Sequence, residues 1–305
     1  MESLKAFWHK LWDRGQPVPP REVKLNHDTG MLKILACLLM LCDHLGKMIF
    51  PDAFVLHFTG PVLSYLPDMN ILRAIGRLAM PMFAYGVAVG CNYTRNIWKY
   101  AFRLFLLAVL VHPLYQEAMG WVRIGKFTWE GEFPRQFYNL PLELYRYYYQ
   151  NRNLNILFTL TLAVLIIGGF RQRRYLVMVL AVLLTVRLNR RIDYGYEGVF
   201  LVILFYAFLD RPLVSFIAVT LFFVNWCCPR LLSQLPYNLV KENKVFRFSF
   251  NELAFKGIST EIYALLSLPF IYFPLRKRFV KLPKWLFYGF YPAHLMLIYL
   301  LQLNK

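Results

Sequence analysis

The segment MLKILACLLMLCDHLGKMIF, residues 31–50, is apolar enough to cross a bilayer, yet it contains ionisable side chains. Lys33 lies near its first end, and Asp43 and His44 lie further along it. Eleven residues of a helix return to within about 20° of the starting face and rise about 16 Å, so Lys33 and His44 share one stripe. Ionisable groups are costly in hydrocarbon and usually face a protein interior or a wet cavity. We therefore expect this helix to form one wall of a membrane-embedded active site.

The composition of the whole chain is that of a polytopic membrane protein. Of its 305 residues, 58% are hydrophobic and 17% are charged, which separates it from soluble domains. Its apolar runs predict an all-α membrane bundle of about nine transmembrane helices. We place these spans at about 31–50, 70–92, 97–117, 154–170, 174–188, 195–210, 212–228, 257–275 and 285–303.

The N-terminal segment differs from the rest in its pattern. Residues 1–14, MESLKAFWHKLWDR, alternate aromatic and basic side chains at helical spacing. This pattern is typical of an amphipathic helix that lies on the membrane surface. We therefore divide the chain into an interfacial cytoplasmic segment, 1–30, and one transmembrane domain, 31–305.

The excess of positive charge indicates how the protein is oriented. The formal net charge is +18, and the short connections that contain Arg95 and Lys99, or the RQRR run at 171–174, hold many of the cations. Cytoplasmic loops of membrane proteins are enriched in Lys and Arg, so we predict that the N-terminus lies inside. Without a soluble basic domain, the sequence does not favour nucleic-acid binding. Anionic lipid and an anionic donor are the expected charged partners.

With this orientation, intramembrane polar residues from several spans fall in one layer. Five of its ionisable members, Asp43, His44, Arg77, Asp193 and His294, are the candidate catalytic groups. A buried catalytic or transport cavity requires such a layer. The side chains that share it are Asp43, His44, Arg73, Arg77, Asn155, Thr159, Thr161, Asp193, Glu197 and His294.

Each of these residues also has a structural interpretation. Asp43 and Arg77 are equally consistent with an ion pair between two spans, and His294 with a packing histidine. The structural alternative for His44 is a hydrogen-bonded core histidine, which the pattern favours less than a site residue. Asp193, in the sequence DYGYEG, is equally consistent with a helix cap or a turn. In the catalytic interpretation, a neutral His44 accepts a proton from an attacking hydroxyl or amine. Asp43 or Asp193 orients its imidazole, and Arg77 stabilises an oxyanion or holds a carboxylate.

Five short motifs in order resemble the TraX family, within the transmembrane acyltransferase superfamily. The first is a lysine, ten residues and then a histidine in DHLG, from Lys33 to Gly46. The others are GRLAMPMFAYGVAVG at 76–90, NILFT at 155–159, DYGYEGV at 193–199 and FYPAHL at 290–295. A basic residue eleven positions before a histidine on the first span is also similar to related membrane O-acyltransferases.

The resemblance implies a function and a set of site residues. It implies transfer of an acetyl or similar acyl group from cytosolic acetyl-CoA to an acceptor outside a bacterial cytoplasmic membrane. The acceptor would be a sugar hydroxyl or amine, or a protein N-terminal amine such as that of a pilin. Catalytic roles are implied for His44, Asp43, Arg77, Asp193 and His294, and donor binding for Lys33 and Asn155. The inner cations Arg95 and Lys99 are further donor-binding candidates, because their charge suits a polyanionic donor from the cytosol. No metal is expected, since the five cysteines form no ligand pattern, and an oligomer is compatible with the sequence.

Two other functions remain open at this stage. The same Asp, His and Arg layer would serve a proton-coupled transporter or exporter as a relay. A non-enzymatic membrane scaffold would use the buried polar groups as interhelical hydrogen bonds. Acyl-CoA turnover separates the enzyme from both.

Overall fold

The structure is a computed structural model that describes residues 18–59, 66–120, 153–228, 258–273 and 283–303. The predicted interfacial helix at 1–14 lies outside the described residues. The helices are α1 (Thr29–Met48), α2 (Ile71–Gly76), α3 (Ala79–Tyr93), α4 (Ile97–Ala118), α5 (Ile156–Arg171), α6 (Tyr175–Leu188), α7 (Gly195–Ala207), α8 (Pro212–Cys227), a 3₁₀ helix (Thr260–Ser267), α9 (Leu268–Tyr272) and α10 (Lys284–Leu303).

The architecture is that of a helical membrane protein, as predicted. Two two-residue strands, β1 (Val55–Leu56) and β2 (Met69–Asn70), pair antiparallel with Val55 opposite Asn70. Four helical segments are long and apolar enough to cross a membrane: Thr29–Met48, Ile71–Tyr93, Ile97–Ala118 and Trp285–Leu303. The other apolar helices in the described residues are shorter, so the number of nine crossings is not confirmed.

The described residues group into two compact units. Unit 1 contains 18–22, 84–120, 153–207 and 284–303, and unit 2 contains 23–59, 66–83, 208–228, 258–273 and 283. The boundary between residues 83 and 84 falls within α3. The division into segments 1–30 and 31–305 stays a prediction.

Unit 2 is built around the packing of α1 on α2. The Asp28 carboxylate starts α1 by accepting a hydrogen bond from the Met31 amide at 3.0 Å, which satisfies a helix-end donor. The Asn70 amide caps α2 through Leu72 at 2.8 Å and also donates to the Phe50 and Ala53 carbonyls at 2.5 Å. Asn70 therefore ties the end of the α1 region to the start of α2.

Unit 1 is built around α5, which packs against α4, α6 and α7, while α10 packs against α4. The α5 helix has few exposed residues because its partners cover most of its faces. Gly169 lets α6 approach closely, since a Cβ there would lie 2.7 Å from the Met178 backbone nitrogen. Tyr85 and Phe205 are fully buried and meet edge to face, with ring centroids 5.7 Å apart.

Candidate functional site

The first predicted site residues, Lys33 and His44, lie on one continuous helix in unit 2. The α1 helix runs from Thr29 to Met48 without a break, so the two residues share a stripe, about 16 Å apart along the axis. Both side chains are half-buried. His44 lies within electrostatic range of Arg77 and Lys47, and Lys33 lies within range of Cys37, one turn further along α1.

Arg77, at the end of α2, lies between two carboxylates. Its Nη1 is 3.0 Å from Glu261 Oε1, and its Nε is 3.9 Å from Asp43 Oδ1. The exposed fractions of these side chains are 12% for Arg77 and 15% for each carboxylate. Charges so little exposed are costly to desolvate, and pairing offsets this cost. Asp43, Arg77 and Glu261 thus form a partly buried charge cluster beside His44.

Close helix contact sets the position of this cluster. A Cβ added at Gly76 would lie 2.7 Å from the Asp43 Cα and 2.8 Å from its nitrogen. A Cβ added at Gly46 would lie 3.1 Å from the Arg73 Cγ. The two glycines therefore allow α1 and α2 to meet with almost no side chain between their backbones. Among the described residues, Asp43 Oδ1 and Arg73 Nε are buried with no hydrogen-bond partner.

Glu261 was not among the residues predicted from the sequence. It lies in the first turn of the 3₁₀ helix, whose start is capped by the Ser259 hydroxyl at 3.3 Å from the Glu261 amide. The sequence does contain a signal for Glu261. An arginine inside a span requires a carboxylate partner, and Glu261 is the acidic residue of the eighth predicted span.

In unit 1, Asn155 and Asp193 come together at the start of α5. The Asn155 side chain accepts from the Leu157 amide at 3.1 Å and donates to the Ala108 carbonyl on α4 at 2.9 Å. The Asp193 backbone nitrogen donates to the Leu154 carbonyl at 3.0 Å, and its carbonyl accepts from the Thr159 hydroxyl at 2.6 Å. Asn155 through its side chain and Asp193 through its backbone thus hold the start of α5 in place.

The DYGYEG motif that contains Asp193 forms a turn before α7. Tyr194 and Gly195 have positive φ angles of 60° and 55°, and glycine tolerates this backbone conformation well. The turn carries Asp193 to within electrostatic range of Tyr291 on α10. Tyr291 is 5% exposed, and its hydroxyl has no hydrogen-bond partner among the described residues.

His294, one turn after Tyr291, is 3% exposed. Its Nδ1 donates to the Phe290 carbonyl at 3.0 Å, since a carbonyl oxygen only accepts. Its ring also stacks on Phe290, with centroids 5.1 Å apart, and meets Tyr291 edge to face at 5.4 Å. The proton on Nδ1 leaves Nε2 as the accepting nitrogen of a neutral ring.

The family of the chain follows from comparison with known proteins. The family model described as TraX protein matches residues 28–302. The chain belongs to the TraX family. No curated protein and no solved structure matches it. The resemblance to TraX drawn from the five motifs is thereby confirmed, while the wider acyltransferase placement stays a prediction.

The TraX match includes every predicted site residue, and the structure sorts them into two groups. Asp43, His44 and Arg77 come together in unit 2, with Lys33 on the same helix. Asn155, Asp193 and His294 belong to unit 1, together with Arg95 and Lys99.

Arg95 and Lys99 lie at the start of α4 in this TraX protein, with both side chains exposed. The Asn96 side chain caps the helix by accepting from the Lys99 amide at 2.9 Å. Within the ranges that the structure describes, no three His, Cys, Asp or Glu side chains are grouped so as to hold a metal ion.

Proposed function

We propose that this TraX protein is a membrane-embedded acyltransferase that moves an acyl group, most simply acetyl, from acyl-CoA to an acceptor outside the membrane. The acceptor is a sugar hydroxyl or amine, or a protein N-terminal amine. The observation that carries the proposal is the cluster of Asp43, Arg77 and Glu261 beside His44. Such a cluster combines a group that can accept a proton with a fixed cation.

The arrangement of α1 suits a donor that enters along the helix. Lys33 lies about three turns before His44 on the same stripe. Its ammonium can hold a phosphate of the donor while the thin pantetheine arm, which is of similar length to the rise between the two residues, extends toward His44. The thioester then reaches the imidazole, and the charged end stays near the start of α1.

The transfer itself needs one proton acceptor and one cation. The lone pair of the acceptor attacks the thioester carbonyl, its proton passes to His44, and the new C–O or C–N bond forms. As the C–S bond breaks, His44 returns the proton to the sulfur of coenzyme A. The Arg77 guanidinium, close to the imidazole, stabilises the oxyanion that develops between these steps. Asp43 and Glu261 hold that guanidinium in place.

A second route uses His44 as a transient acyl carrier. The imidazole then attacks the thioester first, and the acceptor releases the acyl group from it. Both routes require the same residue and the same donor. A burst of coenzyme A release without acceptor, equal to the amount of enzyme, identifies the covalent route.

The test measures coenzyme A release by purified protein in nanodiscs supplied with acetyl-CoA. We expect His44→Ala to lose activity by at least about a hundredfold, the usual contribution of a positioned base. His57→Ala is the matched control, because His57 is an exposed histidine of the loop after α1. Full activity in a folded His44→Ala protein would overturn the proposal.

The same cluster supports one further candidate, a proton-coupled transporter. Two carboxylates on one buried arginine resemble a relay in which protonation of a carboxylate releases the cation. This function predicts uptake driven by a pH gradient in liposomes that contain no acyl-CoA. Such uptake, lost in Glu261→Gln and without acetyl-CoA turnover, would favour the transporter over the enzyme.

A further inference from the structure

Four exposed cations lie at one edge of unit 1. Arg95 and Lys99 are at the start of α4, and Arg173 and Arg174 form the turn between α5 and α6. We call these four residues the cation edge. None of them forms an ion pair with a carboxylate of the described residues.

Side-chain contacts hold the two halves of the cation edge together. The Trp98 indole nitrogen donates to Gln172 Oε1 at 2.5 Å, and the Arg174 guanidinium lies over the Trp98 ring, 5.3 Å from its centroid. Arg171 Nη1 donates to the carbonyls of Cys91 at 2.6 Å and Thr94 at 2.9 Å. Because these bonds join the α5–α6 turn to the start of α4, the four charges are fixed on a common edge.

The sequence around the cation edge is poor in acidic residues. Residues 84–116 and 153–192 contain no Asp or Glu, and Glu117 lies at the end of α4 far from Lys99. Glu22 is an exposed carboxylate of the same unit. Four exposed cations without an ion-paired carboxylate among the described residues leave a net positive surface that attracts anions.

Exposed apolar side chains continue from the cations along both helices. On α4, Phe102, Leu106 and Leu110 follow Lys99 at helical spacing, and Leu110 is 67% exposed. The residues that follow Arg174 on α6 are Leu176, Leu180 and Leu183, also exposed. Each helix thus presents an apolar stripe that follows a cation, about 12 Å long on α4 and about 10 Å long on α6. The exposed Arg103 lies beside the α4 stripe, one turn after Lys99. In a membrane helix, such a stripe faces lipid chains.

We propose that the cation edge binds the phosphate headgroup of an anionic phospholipid, whose acyl chains lie along the apolar stripes of α4 and α6. A phospholipid has a phosphodiester group next to two hydrocarbon chains. Each helix has a cation followed by an apolar surface, in the same order. A soluble nucleotide would match only the cations. This assignment goes beyond acyl transfer, and for Arg95 and Lys99 it replaces the donor-binding role predicted from the sequence.

The test compares lipid binding to full-length protein variants in neutral detergent by native mass spectrometry. Phosphatidylglycerol and phosphatidylcholine are added in turn. We expect Arg173→Gln/Arg174→Gln to lose phosphatidylglycerol binding by roughly fivefold for each cation removed, with phosphatidylcholine unchanged. Arg187→Gln/Arg190→Gln is the matched control, since it removes two exposed cations at and beyond the opposite end of α6.

A second pair keeps the test decisive if the first variant does not fold. Arg95→Gln/Lys99→Gln leaves unchanged the side chains that form the hydrogen bond of Trp98 to Gln172 and its cation–π contact with Arg174, and we expect the same selective loss. Equal losses in the Arg187/Arg190 control would mean that only net charge matters and would overturn the proposal. Displacement of phosphatidylglycerol by coenzyme A or ADP, with loss of nucleotide binding in the same variants, would assign the edge to a soluble phosphate instead.

Discussion

Arg77 Nη1 lies 3.0 Å from Glu261 Oε1, whereas its Nε lies 3.9 Å from Asp43 Oδ1. The guanidinium therefore has its shorter contact with the 3₁₀ helix and its longer one with α1. Since the interaction of two charges falls with distance, Glu261 is the stronger partner of Arg77. The ion pair between Asp43 and Arg77 that the sequence suggested is present, but it is one part of a three-residue cluster.

A double-mutant cycle distinguishes the two partners. We expect Arg77→Gln and Glu261→Gln to couple by about 1–3 kcal/mol, in the upper part of the range found for residues of one ionic network. The coupling of Arg77→Gln with Asp43→Asn should be smaller. Chemical or thermal unfolding in a mild detergent gives the free energies. The exposed pair Arg211 and Asp210, also 3.9 Å apart, is the control and should couple by less than about 1 kcal/mol. A larger coupling of Arg77 with Asp43 than with Glu261 would contradict the distances in the structure.

A methyl group at Gly76 should separate α1 from α2. In Gly76→Ala, the new Cβ would lie 2.7 Å from the Asp43 Cα, a backbone atom that cannot rotate away. We expect a loss of about 1–3 kcal/mol or more, as for other overpacked contacts, together with displacement of Asp43 from Arg77. Gly289→Ala on α10 is the control, because its Cβ would meet no atom within 4 Å, and alanine raises helix propensity there. Equal stability of the two variants would exclude the close contact.

The contact between His57 and Asp68 should respond to acid. His57 Nδ1 lies 2.9 Å from Asp68 Oδ2, and the Phe58 amide donates to Asp68 Oδ1 at 3.3 Å. The hydrogen bond from His57 is the main reason that the pKa of Asp68 lies below its usual 3.8. A depressed carboxylate pKa stabilises the folded state above the ordinary pKa, and this contribution disappears as the pH falls through the lower folded value.

The measurement is hydrogen exchange at the Phe58 amide in wild-type protein and in Asp68→Asn as the pH is lowered from 6. At pH 6 the wild type should protect this amide better than the variant does. The difference should shrink as the pH falls below the ordinary aspartate pKa and then through the lower pKa of the folded state, where Asp68 becomes protonated. If the wild type kept the same extra protection of the Phe58 amide over Asp68→Asn throughout this pH range, the carboxylate charge would not be its cause.

The positions of the helices follow from the sequence better than the partners of single side chains do. Apolar runs located α1, α4 and α10 closely, because hydrophobic length is a property of one segment. The contact of Asp43 with Arg77 could be inferred because both lie at a similar predicted depth. Glu261 could not be placed, since its position depends on a 3₁₀ helix whose geometry the apolar pattern does not indicate.

Asn155 shows the same limit in unit 1. Its position at the start of a span was predicted, and donor binding was implied by the family resemblance. In the structure its amide is occupied by the Leu157 nitrogen and the Ala108 carbonyl. The second bond joins residues 47 positions apart, and a local sequence pattern does not indicate a contact between residues so distant in the chain.

The donor role of Lys33 predicts a separation of kinetic constants. If its ammonium holds a donor phosphate far from the reacting carbonyl, Lys33→Gln should raise KM for acetyl-CoA about tenfold and leave kcat nearly unchanged. Lys24→Gln, which removes an exposed lysine before α1, should change neither constant. Steady-state coenzyme A release measures both. A fall in kcat with unchanged KM would place Lys33 at the reaction centre and would contradict the extended donor along α1.

Two asparagine caps in unit 1 separate the structural role of Asn155 from a role in donor binding. Asn96 caps α4 with one exposed hydrogen bond, and Asn155 caps α5 while fully buried with a second bond to Ala108. We expect Asn96→Ala to cost about 1 kcal/mol of unfolding free energy, as a lost cap does. Asn155→Ala should cost about 1–3 kcal/mol more, because it leaves the Ala108 carbonyl buried without this donor. If Asn155→Ala instead raised KM for acetyl-CoA with stability equal to that of Asn96→Ala, the residue would bind the donor and not the α4 backbone.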